Sequence, residues 1–236
     1  MQLHLFSMPG EYPLRDIVAA GQPHLLAQPR PIVLYLPATG VTVKEEYVEM
    51  TREAFKGLAQ VEVLDLTTGV YPDFGAALER ASLLCIPGGN TYLLLHRLYQ
   101  SGLFGLIQQR VRQGLPLVGF SAGMLVCGAN ILTSNDINCC ACTQFAGFGF
   151  VPCNFVAHYP GAEGPERDRI DERIVGYYHA FQSNPVLALE DDGYIRVDGQ
   201  RVELVRGHGW LFEKGKAGAL LNPGRRIVTE NDGVRL

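Results

Sequence analysis

The 236-residue sequence lacks a long apolar run. Its longest stretch without Asp, Glu, Lys or Arg, 137–162, is interrupted by Gly, Pro, Asn, Gln and His, which excludes a membrane-spanning helix there. A basic stripe is also missing. Lys and Arg number 20 against 24 Asp and Glu, a net charge of −4, so nucleic acid and anionic membranes are poor partners. Residues 1–13 show no basic region followed by apolar residues, so no secretory signal is read and a cytoplasmic protein is expected. No linker, repeat or low-complexity tract interrupts the chain, and one domain over 1–236 is expected. Charged residues are few, 19% against 47% hydrophobic, which excludes a disordered chain and leaves ample material for a core.

Cysteines number six, and four of them, Cys139, Cys140, Cys142 and Cys153, are crowded together. In a cytoplasmic protein these are expected to be reduced. Cys139 and Cys142 have C-x-x-C spacing, and Cys153 or His158 would complete a zinc set. The simpler expectation is that they are small packing residues in a buried segment, with no metal bound.

Short apolar strands alternate with amphipathic helices through the first two thirds. Strands are predicted at 32–36, 61–66, 83–86 and 117–120, and helices at 44–59, 74–80, 91–112 (broken near Ser101-Gly102) and 122–129. In the first helix, Tyr47, Met50, Ala54, Phe55 and Leu58 are expected to form the buried face. This order implies an α/β fold, a mostly parallel central sheet with helices on both faces. A strand at 150–157 and a helix at 167–181 follow. The tail reads as an antiparallel meander of strands at 186–190, 194–197, 202–205 and 210–213, closing the domain.

The sharpest chemical signal is Gly119-Phe120-Ser121-Ala122-Gly123, after a buried strand and before a small-residue helix. That context suits a nucleophile elbow, in which a strained turn lifts Ser121 above the sheet edge and the Ala122 N–H faces a developing oxyanion. A serine at this position also serves as an ordinary helix cap. From Gln113 to Ala162 the chain carries a single charged side chain, Asp136, and a single histidine, His158. Such a segment is expected to be largely buried, and a lone buried carboxylate requires a partner. Ser121, Asp136 and His158 therefore read as a Ser–His–Asp relay, against the plainer reading of Asp136 as a turn cap and His158 as a core residue. Pro87-Gly88-Gly89-Asn90-Thr91, also between strand and helix, lacks a phosphate-loop lysine and fits a second oxyanion donor at Gly89, with Asn90 facing the substrate.

Taken together, 87–91, 119–123, Thr133-Ser134-Asn135-Asp136 and Ala157-His158-Tyr159 resemble the peptidase E family of aspartyl dipeptidases, relatives of the cyanophycinases. The resemblance spans roughly 32–178. It implies a class I glutamine amidotransferase-like α/β fold with Ser121 as nucleophile, His158 as general base and Asp136 as its orienter. Gly89 and Ala122 would form the oxyanion hole, without metal or cofactor. The implied substrates are dipeptides with N-terminal aspartate, and a homodimer is compatible with this reading. Departures include Phe120, Met124 and the cysteine-rich 139–153 segment. The family's Arg-x-x-Arg-Ile pattern is one residue tighter at Arg167-Asp168-Arg169-Ile170. A carboxylate in a partly dry site needs a cation, so Arg169, with Arg167 in reserve, is expected to bind the aspartate side chain.

Four other readings compete. A cyanophycinase uses glutamate as its third member, and no glutamate lies between Ser121 and His158. An α/β-hydrolase esterase would pair Ser121 with Asp191 or Asp192 and His208. A catalytically silent domain of the same fold would show a damaged triad. A glutamine amidotransferase would need cysteine at position 121. His4, His24, His96 and His179 have no motif context and are expected to pack or face solvent, and Tyr177, Tyr178 and Phe181 are expected to pack their helix.

Overall fold

A computed structural model describes residues 1–8, 29–68, 73–230 and 233–235. His24 lies outside the described residues. The parallel half of the main sheet is built from β1 (Gln2–Phe6), β2 (Ile32–Tyr35), β3 (Gln60–Val63), β4 (Leu83–Ile86) and β5 (Leu117–Phe120). Their order is β1-β5-β4-β2-β3. Strands buried on both faces need apolar side chains at every position, and Leu-Leu-Cys-Ile in β4 and Leu-Val-Gly-Phe in β5 supply them. Leu34, Leu84, Ile86 and Leu117 point to one face. There they meet α2 (Phe74–Arg80), α3 (Thr91–Gln100), α4 (Leu103–Arg112) and the short α5 (Ala122–Leu125). Val33, Tyr35, Leu83, Cys85 and Val118 point to the other and meet Val48 and Phe55 of the α1 region (helix Glu45–Ala54). Helices thus cover both faces.

Several boundaries differ from expectation. The helix expected over 44–59 ends at Ala54 and buries Val48 and Phe55, while Tyr47 and Met50 are exposed. The break expected near Ser101-Gly102 is there: Gly102 takes φ +73°, a left-handed turn open to glycine, and separates α3 from α4. The helix expected over 122–129 is one turn, 122–125.

Periodicity missed β1, as it missed three short strands near the end of the chain, at 219–221, 226–230 and 233–235. β1 lies at the centre of the sheet, parallel to β5 and antiparallel to β8 (Tyr194–Asp198). Its Gln and His look polar, yet His4 is buried and its Nδ1 lies 2.7 Å from the Tyr194 hydroxyl. Four antiparallel strands, β8, β9 (Arg201–Arg206), β12 (Arg226–Glu230) and β13 (Gly233–Arg235), extend the sheet beyond β1. The sheet is therefore parallel in one half only.

The expected meander is divided between two sheets. β6 (Asn154–Val156), shorter than the expected 150–157, pairs with β7 (Val186–Leu189). β7 in turn joins β10 (Gly209–Phe212) and β11 (Ala219–Leu221) in a second, four-stranded sheet. Against it packs a helix that starts as α6 (Pro165–Asp171), widens to a π-helical stretch over Glu172–Tyr178, and ends as α7 (His179–Phe181). Ile170, Ile174 and Tyr178 bury against Val156, Val186 and Trp210, as the spacing predicts, but Phe181 is exposed.

Candidate active site

Parallel strands end at one edge of a sheet, and the loops beyond their carboxyl ends carry the chemistry of open α/β folds. β1 and β5 end at this edge, and antiparallel β8 begins there. Three loops distant in sequence therefore meet: Ser7 after β1, Ser121 after β5 and Asp191 before β8. Ser121 takes φ +46°, a region a non-glycine residue occupies only when its surroundings hold it there. Its N–H donates to the Phe6 carbonyl at 2.9 Å and its carbonyl accepts the Leu125 N–H, fixing the turn between strand and helix. Gly123 has to be glycine because a Cβ there would overlap the Ile86 carbonyl.

His158 also has positive φ, +59°. Its N–H donates to the Ser7 hydroxyl at 2.8 Å, and Ser7 Oγ donates in turn to the Leu189 carbonyl. Held so, His158 Nε2 lies 3.0 Å from Ser121 Oγ, and Nδ1 lies 2.6 Å from Asp191 Oδ1. The three side chains form one hydrogen-bonded chain, open to solvent at the histidine and the aspartate.

The expectation that Asp136 orients His158 is corrected by this geometry. Asp136 Oδ2 accepts from Thr91 N at 2.8 Å, Thr91 Oγ1 at 2.6 Å and Ser134 Oγ at 3.0 Å. It is a cap for the N-terminus of α3, where a carboxylate satisfies free N–H groups and complements the helix dipole. The segment around it is not uniformly buried either. Ile137, Cys139 and Phe145 face solvent, so scarcity of charge over 113–162 did not imply burial. The carboxylate that the esterase reading offered, Asp191, is the one beside a histidine, but that histidine is His158; His208 is exposed.

The 87–91 turn reaches the serine. Gly88 packs so close that a Cβ there would come 3.2 Å from the Ser121 Cβ. Thr39 straps the turn, donating from Oγ1 to the Gly88 carbonyl at 2.5 Å and accepting the Asn90 N–H at its carbonyl at 2.9 Å. Among the described residues the N–H groups of Gly89 and Ala122 have no acceptor, the state an oxyanion hole requires. Asn90 is engaged at both ends of its amide. Oδ1 caps Leu93 N at 2.9 Å and Nδ2 donates to the Ile137 carbonyl at 2.9 Å, so it braces the loop rather than facing a substrate.

The two arginines expected to bind substrate diverge. Arg169 is exposed on α6. Arg167 lies over the Trp210 ring at 4.7 Å and the Tyr159 ring at 5.4 Å, and donates to the Gly161 carbonyl at 3.4 Å, beside the histidine loop. A third, Arg173, was not singled out from the sequence. It donates to the Ser134 carbonyl at 3.1 Å and to Asn135 Oδ1. Ser7, Thr39 and Arg173 left no signal in motif spacing, since each acts through a contact distant in sequence.

The six cysteines are free thiols, with Cys139 exposed, Cys140 half-buried and the rest buried, so the cluster is not the uniformly buried set expected. Among the described residues no three His, Cys, Asp or Glu side chains converge as metal ligands. No helix among them is long and apolar enough to cross a membrane.

A family model described as Peptidase family S51 matches residues 22–205. A peptidase E from Shewanella sp. (strain W3-18-1) is 33% identical over 187 residues, 76% of each chain. A peptidase E from Pasteurella multocida (strain Pm70) is 28% identical over 182 residues, 76% of this chain and 77% of the relative. Among solved structures, a peptidase from an acI-B1 actinobacterium superposes with TM-score 0.68 at 17% identity, covering 96% of each chain. A candidate peptidase E from Listeria monocytogenes EGD-e superposes with TM-score 0.66 at 23% identity, over 85% of this chain and 96% of that one. The mixed α/β fold and the family match define a serine peptidase. The chain belongs to peptidase family S51.

Proposed function

We propose that the protein hydrolyses dipeptides with N-terminal aspartate through an acyl-enzyme on Ser121, and that Asp191 is the third member of its triad. The hydrogen-bonded chain from Ser121 through His158 to Asp191 carries this reading. With Asp191 accepting from Nδ1–H, Nε2 of His158 is left free to take the Ser121 proton. Ser121 Oγ then attacks the aspartyl carbonyl. The tetrahedral oxyanion is met by the N–H groups of Gly89 and Ala122, and His158 passes the proton to the departing amine. Water, deprotonated by His158, releases aspartate from the serine. The nucleophile at the turn after a parallel strand supports a class I glutamine amidotransferase-like fold, with serine in place of cysteine.

Selectivity for aspartate needs a cation, because a carboxylate entering a partly dry site loses hydration. Of the two arginines carried by the resemblance, Arg167 is supported over Arg169. Its guanidinium lies over two touching aromatic rings beside the His158 loop, so little freedom is lost when it pairs with a carboxylate.

The test is a panel of Asp-Leu, Glu-Leu, Asn-Leu, β-aspartyl-leucine and N-acetyl-Asp-Leu, assayed with the wild type and Ser121→Ala. Turnover confined to Asp-Leu, and abolished in a folded Ser121→Ala protein, is expected. Equal rates on Asp-Leu and Asn-Leu would remove the aspartate assignment, and an active Ser121→Ala protein would remove the serine mechanism.

A further inference from the structure

The helix after the histidine loop lines an open cavity of about 390 Å³. Its walls include Val156 of β6, Ile170 and Ile174 of the helix, Tyr177 at the rim, and Thr133 and Asn135 from the loop that carries Asp136. This wall is largely apolar and aromatic, with one cation in it, Arg173. An aspartate side chain is small and charged and leaves most of such a space empty.

Two of the cavity's lining segments lead to the reacting centre. Val156 stands two residues before His158, a spacing of about 6.5 Å along an extended chain. Asn135 precedes Asp136, which holds Thr91 at the head of α3, directly beyond the 87–90 turn that touches Ser121. The charges share one neighbourhood: burial pushes the Tyr92 phenol up, Asp136 pushes it further, and Arg173 opposes both.

Arg173 spends two of its five N–H groups on Ser134 and Asn135. Among the described residues no carboxylate pairs with it. The backbone bond that fixes it also leaves the rest of its planar fork available to an anion. In a dipeptide the free α-carboxylate lies one residue, about 3.5 Å of extended chain, beyond the scissile bond, and the side chain of the leaving residue lies beside it.

We propose that this cavity is the subsite for the leaving residue, that it prefers a large apolar or aromatic side chain, and that Arg173 binds the free C-terminal carboxylate. The inference rests on the dipeptidase reading above. It gives a physical reason for dipeptides over longer chains: a third residue replaces the carboxylate with a neutral amide and removes the ion pair.

The experiment compares kcat/KM for Asp-Phe, Asp-Phe amide, Asp-Gly and aspartyl p-nitroanilide in the wild type, Arg173→Met and Arg173→Lys. The wild type is expected to favour Asp-Phe over both its amide and Asp-Gly by at least about tenfold, a difference that needs no variant to observe. In Arg173→Met the loss on the acid should exceed the loss on the amide by about tenfold or more, mainly through KM, with Arg173→Lys recovering part of it. Equal wild-type rates on acid and amide would overturn the carboxylate role, and equal rates on Asp-Phe and Asp-Gly the apolar preference. An Arg173→Met loss shared evenly by acid and amide would also overturn the carboxylate role, reducing Arg173 to a brace for the 134–135 loop. If neither the anilide nor any dipeptide is cleaved, the dipeptidase reading itself falls and this inference with it. Cleavage of the anilide without discrimination among the others removes the subsite alone.

Discussion

Asp191 Oδ1 lies 2.6 Å from His158 Nδ1, across 33 residues of sequence, while Asp136 caps a helix on the other side of the nucleophile. The two carboxylates therefore do different work, and substitution separates them. Asp191→Asn should lower kcat by roughly 10³–10⁴ with little change in melting temperature, because an exposed side chain is lost to packing at no cost while the imidazole loses its orienter. Asp136→Asn should lower stability by about 1–3 kcal/mol, since three donors lose a charged acceptor, and should reduce kcat far less. Steady-state kinetics beside thermal denaturation of both variants checks the pair. The reverse pattern would restore Asp136 as the orienter.

Stability should fall in mild acid because of His4. Burial, aided by the nearby Arg196, lowers its pKa from the ordinary 6.5 to about 4. The unfolded chain then binds a proton at pH 5 that the folded chain does not. This contribution is absent above pH 6.5 and destabilises progressively as pH falls toward 4, by about 2 kcal/mol at pH 5. Urea midpoints for the wild type and His4→Gln at pH 7 and pH 5 check it. The variant is expected to be less stable at pH 7 but to lose less on acidification, and parallel losses would contradict the sign worked out here.

Thiol reactivity should divide the cysteines sharply. Burial pushes Cys85 and Cys153 up to about 12 and Cys127 higher still, so neither thiolate nor access is available. A disulfide reagent should modify Cys139 first and Cys140 more slowly, leaving Cys85, Cys127 and Cys153 silent until the chain is unfolded. Mass mapping of the modified sites measures this. Activity should persist through chelator treatment, and stoichiometric zinc lost together with activity would refute it.

How far the sequence led depended on the distance over which each feature is decided. The central strands β2, β4 and β5 were legible because burial on both faces demands continuous apolar residues, a local property. Ser121 was legible because the elbow is five consecutive residues, and His158 because its motif lies beside it. The third carboxylate was not, since its place depends on β8 pairing with β1, a choice made by the whole sheet. The inference from charge scarcity pointed to Asp136 because it equated few charges with burial, whereas Ile137–Cys140 is open to solvent through polar and thiol groups. β1 was missed for a related reason. Gln2 and His4 read as polar, and only the Tyr194 hydroxyl, far along the chain, makes a buried imidazole acceptable.

The central position of β1 fixes when the site can come into being. β1 is bordered by strands that end at residues 120 and 198, so both of its neighbours lie far along the sequence and the second is made long after the first. Contacts of such separation form late. The nucleophile turn hangs from the Phe6 carbonyl, the histidine loop from the Ser7 hydroxyl, and the aspartate from the approach to β8. A growing or truncated chain thus holds its serine, histidine and aspartate as three unrelated side chains. The arrangement that the proposed triad requires is therefore complete only once the sheet has closed on both sides of β1, and a partly made molecule lacks it.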